Sequence, residues 1–216
     1  MAMHARAIQH LCLRDPRLGE WIERLGPVKL AARRSTDPFL ALLETVAHQQ
    51  LAGAAAKAIW ARVLGLFPEG GLDPQALLAV SDDHLRSAGL SKSKAAAMRE
   101  IAARTLAGEV PDAQRIRRLT EREIIEQLTR IRGIGPWTVD MLLIFTLRRP
   151  DILPVGDYGV RKGFQVLYRK RALPTPAQLL KGAELWRPYR TTAALYLWRI
   201  ADQPKKKAPE AKRLIS

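Results

Sequence analysis

An all-α fold is predicted by three features of the sequence. Apolar residues recur at three- and four-residue spacing, and capping residues stand directly before these runs, several with proline behind them. The alternation of apolar and polar residues that marks strands is nearly absent.

The elements follow in chain order. Asp37 and Pro38 open a helix carrying Phe39, Leu40, Leu42, Leu43 and Val46, and the alanine-rich stretch LAGAAAKAIWARVLGLF continues as a second that breaks at PEGG. Ser81 caps SDDHLRSAGL, and Ser91 precedes a helix that stops near Gly108. Thr120 and Glu123 stand at capping-box spacing before a helix with Ile124, Ile125, Leu128 and Ile131 on one side. Pro136 begins PWTVDMLLIFTL, which has few polar residues and is expected to be buried nearly all round. Asp157 caps DYGVRKGFQVLYRK; Thr175, Pro176 and Gln178 open TPAQLLKGAELW; TTAALYLWRIA closes the fold. The expected total is about nine or ten helices joined by short loops.

At 216 residues with 47% apolar content, the chain can build its own core without metals or disulfides. A formal charge of +15, spread through the body as well as the tail KKKAPEAKR, favours a polyanionic partner over an address signal. One cysteine, Cys12, can neither form an internal disulfide nor supply a four-thiolate cluster, and no Cys/His spacing of zinc-finger type occurs. No signal-peptide h-region and no long apolar stretch is present, so an intracellular protein is expected, cytoplasmic and nucleoid-associated in a bacterium, with no membrane contact.

Between two of these helices lies RIRGIGPWTVD, residues 130–140. Gly133 and Gly135 permit positive φ and remove side chains that would hold a ligand away, and the next helix points its unpaired N–H groups outward, toward a phosphate. A plain helical turn uses the same two glycines as caps. Ile134 at the tip, flanked by Arg130 and Arg132, suits a turn that packs its tip inward and offers backbone donors to DNA. Twenty-two residues after Gly135, Asp157 follows the Gly/Pro-rich stretch LPVG. It is a helix cap by type, and a carboxylate at the positive end of a helix dipole is also placed to stabilise a developing cation.

The hairpin resembles the helix-hairpin-helix of DNA-repair glycosylases. Five ordered segments, AHQQLAGAAAKAIW, AGLSKSKA, LTRIRGIGPWTVDMLLIF, LPVGDYGVRKG and ELWRPYRTTAALYLWR, resemble the DNA-3-methyladenine glycosylase II family in its short form, without the N-terminal β-rich domain of longer members. The resemblance implies an HhH-GPD domain over 1–202 with two helical lobes flanking a DNA-binding cleft: a middle lobe of about 41–149, and a second lobe from 1–40 plus 150–202. A basic, flexible tail follows at 203–216.

By the same resemblance Asp157 is catalytic, and the hairpin Arg132, Gly133, Ile134 and Gly135 grips the DNA backbone. The carbonyls of Ile131 and Ile134 hold a monovalent Na+ or K+, while no cofactor is required. Trp137, Trp198 and Tyr158 line the base pocket, and Trp186 and Tyr189 line it or brace it. Gln50, with Leu51 as its neighbouring alternative, is the wedge that fills the stack, unless the glutamine only hydrogen-bonds a helix end. Ala52 stands where many relatives carry serine, and Ser91, Lys92 and Lys94 supply a second phosphate contact or a solvated loop. Trp137 occupies the position where strand-cleaving members carry lysine, so a monofunctional, monomeric enzyme is expected. It would hydrolyse the N-glycosidic bond of flipped-out alkylated bases, of 3-methyladenine or 7-methylguanine type, in double-stranded DNA. The alternatives are a non-catalytic helix-hairpin-helix DNA-binding protein and a bifunctional glycosylase/lyase.

Overall fold

The computed structural model describes residues 2–28, 36–51, 53–67 and 71–203. The expectations for Ala52, for most of the PEGG breaker and for the lysine-rich tail lie outside them. Among the described residues the fold is all-α, with thirteen α-helices, one π-helical turn and one 3-10 turn. In chain order these are α1 (Ala2–Arg14), α2 (Pro16–Leu25), α3 (Pro38–His48), α4 (Gly53–Gly65), α5 (Pro74–Ala79), α6 (Asp82–Ser87) and α7 (Lys92–Leu106). Then come α8 (Arg115–Arg118), α9 (Glu121–Leu128), α10 (Pro136–Met141) with the π-turn Leu142–Thr146, α11 (Tyr158–Leu167), α12 (Pro176–Gly182), the 3-10 turn Glu184–Trp186 and α13 (Arg190–Ala201).

Helix starts obey the capping chemistry read from the sequence. Asp37, Ser81, Ser91 and Asp157 each accept a backbone N–H of the first turn, and the Thr120–Glu123 and Thr175–Gln178 capping boxes are both closed. The expected count of nine or ten is too low, because α1, α2, α5 and α8 were not among the helices anticipated. Two of these four carry the device already recognised at Asp37: Asp15–Pro16 opens α2 and Asp73–Pro74 opens α5.

The described residues fall into two compact units, one within Met1–Val28 and Leu153–Ser216, the other within Lys29–Ile152. The expected boundary near residue 41 would cut α3, and the whole of that helix belongs to the middle unit. The middle unit is centred on Leu42, Leu43, Val46, Met98, Ile101, Ile124 and Leu142, all of them fully buried. The segment from Pro136 is buried as expected at Thr138, Val139 and Leu142–Ile144, while Phe145 emerges.

In the terminal unit the core has a polar centre. Asp15, buried at 4% exposure, caps α2 through Leu18 N–H and accepts both the Tyr168 hydroxyl and the Trp186 indole N–H, the latter at 2.9 Å. One buried carboxylate therefore ties α2 to the end of α11 and to the 3-10 turn, and a buried charge is tolerable only when so satisfied. Burial first, and the Asp15 bond second, raise the Tyr168 phenol well above its ordinary value.

The folded state thus favours neutral Tyr168, and this stabilisation is complete below the unfolded phenol value of about 10 and is lost as pH rises above it. Tyr168→Phe is expected to cost about 1–3 kcal/mol near neutrality. It should also flatten the fall in stability above about pH 10, read by urea unfolding across that range.

Candidate active site

In the middle unit, α9 and α10 are joined by a tight turn. Ile131 N–H donates to Leu128 O and Ile134 N–H donates to Ile131 O, each at 3.1 Å, and both isoleucine side chains are buried. The tip packs inward, while Arg130 and Arg132 are exposed. The two glycines differ in kind. Gly133 has φ 87°, and a Cβ there would lie 2.5 Å from the Ala97 Cβ of α7, so this glycine is required by the fold itself. Gly135 is the N-cap of α10 at φ −99°, with no side-chain cap and nothing within 4 Å of a would-be Cβ. Trp137 is half-buried in the first turn of α10.

The loop after α3 belongs to the same neighbourhood. Gln49 Nε2 donates to Gly133 O and to Thr138 Oγ1, both at 3.0 Å. Gln50 is exposed and left-handed at φ 56°, which costs a non-glycine residue on the order of 1 kcal/mol. Leu51 is 40% exposed. Of the expected second phosphate contact, Ser91 and Lys92 are exposed at the N-terminus of α7. Lys94 is directed elsewhere: its ammonium donates to Ala47 O at 2.9 Å and Gln49 O at 2.8 Å, and desolvation lowers its pKa from the ordinary value. Nothing local in the sequence marks Gln49, because its partners lie more than eighty residues away.

In the terminal unit, Asp157 stands at the N-cap of α11, and its Oδ1 accepts Val160 N–H and Trp198 Nε1–H, both at 2.8 Å. Trp198 is therefore tied to the carboxylate as a donor, a role that its expected place as a pocket wall did not include. Tyr158 follows at 68% exposure, its ring open to solvent beside Asp157. Trp186 is wholly buried, with its indole on Asp15 and its ring edge-on to Phe164; it is a core residue and not a pocket wall. Tyr189 is half-buried, its ring edge-on to His10 at 5.2 Å.

What brings Trp198 to Asp157 is a close approach of α11 and α13. Gly159 and Gly163, four apart, lie on one face of α11. A Cβ at Gly163 would meet Leu197 O at 2.0 Å, and one at Gly159 would meet Trp198 Cδ1 at 2.7 Å and Asp157 Oδ1 at 3.2 Å. The obstacle at Gly163 is backbone and cannot yield, whereas at Gly159 it is a side chain. Gly163→Ala is accordingly expected to cost about 3 kcal/mol or more in urea unfolding, and Gly159→Ala about 1–2 kcal/mol with an altered Trp198 environment. The opposite ranking would show that the α13 backbone at Leu197 does not press on α11 at Gly163.

The known proteins most informative about this arrangement share both sequence and fold. The chain is 38% identical over 178 residues to DNA-3-methyladenine glycosylase 1 of Schizosaccharomyces pombe, spanning 81% of this chain and 78% of that protein. A solved structure of the S. pombe 3-methyladenine DNA glycosylase in complex with abasic DNA superposes with a TM-score of 0.85 at 36% identity, covering 93% of this chain and all of that one. A DNA-3-methyladenine glycosidase from Bacillus halodurans superposes at 0.77 with 36% identity, over 91% and 89% of the two chains. Residues 43–188 match the HhH-GPD superfamily base excision DNA repair protein model, about two thirds of the chain, and with the hairpin and the capped aspartate in place the chain belongs to the HhH-GPD superfamily of base excision DNA repair proteins.

Proposed function

We propose that the protein is a monofunctional DNA glycosylase that removes alkylated bases, of 3-methyladenine or 7-methylguanine type, from double-stranded DNA and leaves an abasic site. The observation that carries this reading is the carboxylate of Asp157, fixed at a helix N-terminus by two N–H donors in a chain of this family. Leaving of a base turns the deoxyribose into an oxocarbenium-like cation. A carboxylate held in one place stabilises that charge without reorganising and orients the water that attacks C1′. The C–N bond breaks with its electron pair passing to the cationic base, which leaves neutral, while water forms the new C–O bond at C1′ and releases one proton to solvent.

A purine alkylated at a ring nitrogen is already cationic, so its glycosidic bond is weak and an electron-rich ring can hold it. Tyr158, exposed beside Asp157, is suited to that contact. Trp137 has no amine to attack C1′, which favours hydrolysis over a Schiff-base route. Backbone donors at Gly133 and Gly135, with Arg132 exposed beside them, suit a phosphate grip that reads no sequence. An oxygen-liganded monovalent cation on the Ile131 and Ile134 carbonyls is part of this reading; Ile131 O accepts Ile134 N–H and keeps a second lone pair for it. Bound, it would add positive charge against the DNA backbone. We read the enzyme as monomeric and intracellular; no helix among the described residues is long and apolar enough to cross a membrane.

Asparagine caps a helix about as well as aspartate, so Asp157→Asn removes charge and preserves α11. Base release from alkylated duplex DNA is expected to fall by about 10²-fold or more, with duplex binding retained. Wild type is expected to leave no strand break and no borohydride-trapped adduct. Binding without base release by wild type and variant alike would leave a DNA-binding module in place of an enzyme.

A further inference from the structure

The segment that carries the expected wedge is held from both sides by side chains of its own unit. Lys94, in the first turn of α7, stands against that helix's dipole, and its stem turns the ammonium to the carbonyl end of α3, where a cation is favoured. There it closes Ala47 O, one of the carbonyls that α3 leaves without an N–H donor, and Gln49 O beyond it. From the other side the Gln49 amide bonds Gly133 O of the hairpin and Thr138 Oγ1 of α10. Between these anchors and Leu51, whose N–H reaches His48 O at 3.4 Å, Gln50 keeps its left-handed backbone with an exposed side chain. Four side-chain hydrogen bonds and one backbone bond thus surround a residue that local preference would not place in that conformation.

We propose that Lys94 and Gln49 are positioning residues that fix the wedge loop and join it to the hairpin, so that Gln50 enters the base stack from a pre-formed conformation. This rests on the glycosylase reading above. The phosphate grip and the wedge then form one body, and seating the hairpin on the backbone sets the height at which Gln50 meets the stack. Lys94 acts through the loop and not on a phosphate.

The test uses single-turnover release of 7-methylguanine from a duplex oligonucleotide and from the same strand unpaired, because a wedge matters only where there is a stack to fill. Lys94→Met is expected to lower the duplex-to-single-strand rate ratio about tenfold, and Lys94→Met combined with Gln50→Ala to be no worse than Gln50→Ala alone. Lys94→Arg, which keeps a cation, should recover part of the ratio. An unchanged ratio or additive losses would overturn the proposal. So would a salt slope of duplex binding that falls by about one in Lys94→Met, the mark of a direct phosphate contact. If circular dichroism shows Lys94→Met to be unfolded, Gln49→Ala is judged by the same criteria. No release by wild type from either substrate would overturn the enzyme reading and this proposal with it, whereas release by wild type with unaffected variants would overturn the proposal alone.

Discussion

The contact of α11 with α13 governs the terminal unit. Two glycines four residues apart let one helix lie against the other's backbone, and at that separation the residue after Leu197 is Trp198, whose indole reaches the carboxylate capping the neighbouring helix. A wider crossing would leave the tryptophan short of Asp157, and the carboxylate would lose that donor. Small residues on one helix face are thus the means by which the carboxylate capping that same helix receives a donor from another element.

The middle unit solves a comparable problem without close backbones. Its hairpin and the loop after α3 are far apart in sequence and are joined by the Gln49 amide, while the Lys94 ammonium ties α7 to main-chain carbonyls at the end of α3. Lysine suits this work, since three rotatable donors on an apolar stem can satisfy two carbonyls that point in different directions. Partial burial there lowers its pKa from the ordinary value through desolvation.

Much of this was legible in the sequence where the determinant is local. Asp37, Ser81, Ser91, Thr120, Asp157 and Thr175 cap helices as residue type and spacing indicate, and the hairpin's buried tip follows from an isoleucine between glycines. Asp15–Pro16 and Asp73–Pro74 obey the same rule and are as local. What could not be read locally was partnership across the chain. Trp186 is committed to a carboxylate 171 residues earlier, and Lys94 to carbonyls more than forty residues before it. A tryptophan near a cleft motif and a lysine near a helix start look alike whether they face a ligand or a buried acceptor, and only the packing separates the two.

The two glycines of the hairpin answer to different demands. At Gly133 the chain's own packing forbids a side chain, whereas at Gly135 both backbone conformation and surrounding space would admit one. Drift in these two positions would therefore report different things: the first measures what the fold tolerates, the second what comes to rest against it. If the hairpin grips DNA as proposed, a folded, stable chain with a bulky residue at 135 would be a natural record of released contact with nucleic acid, legible before any assay is run.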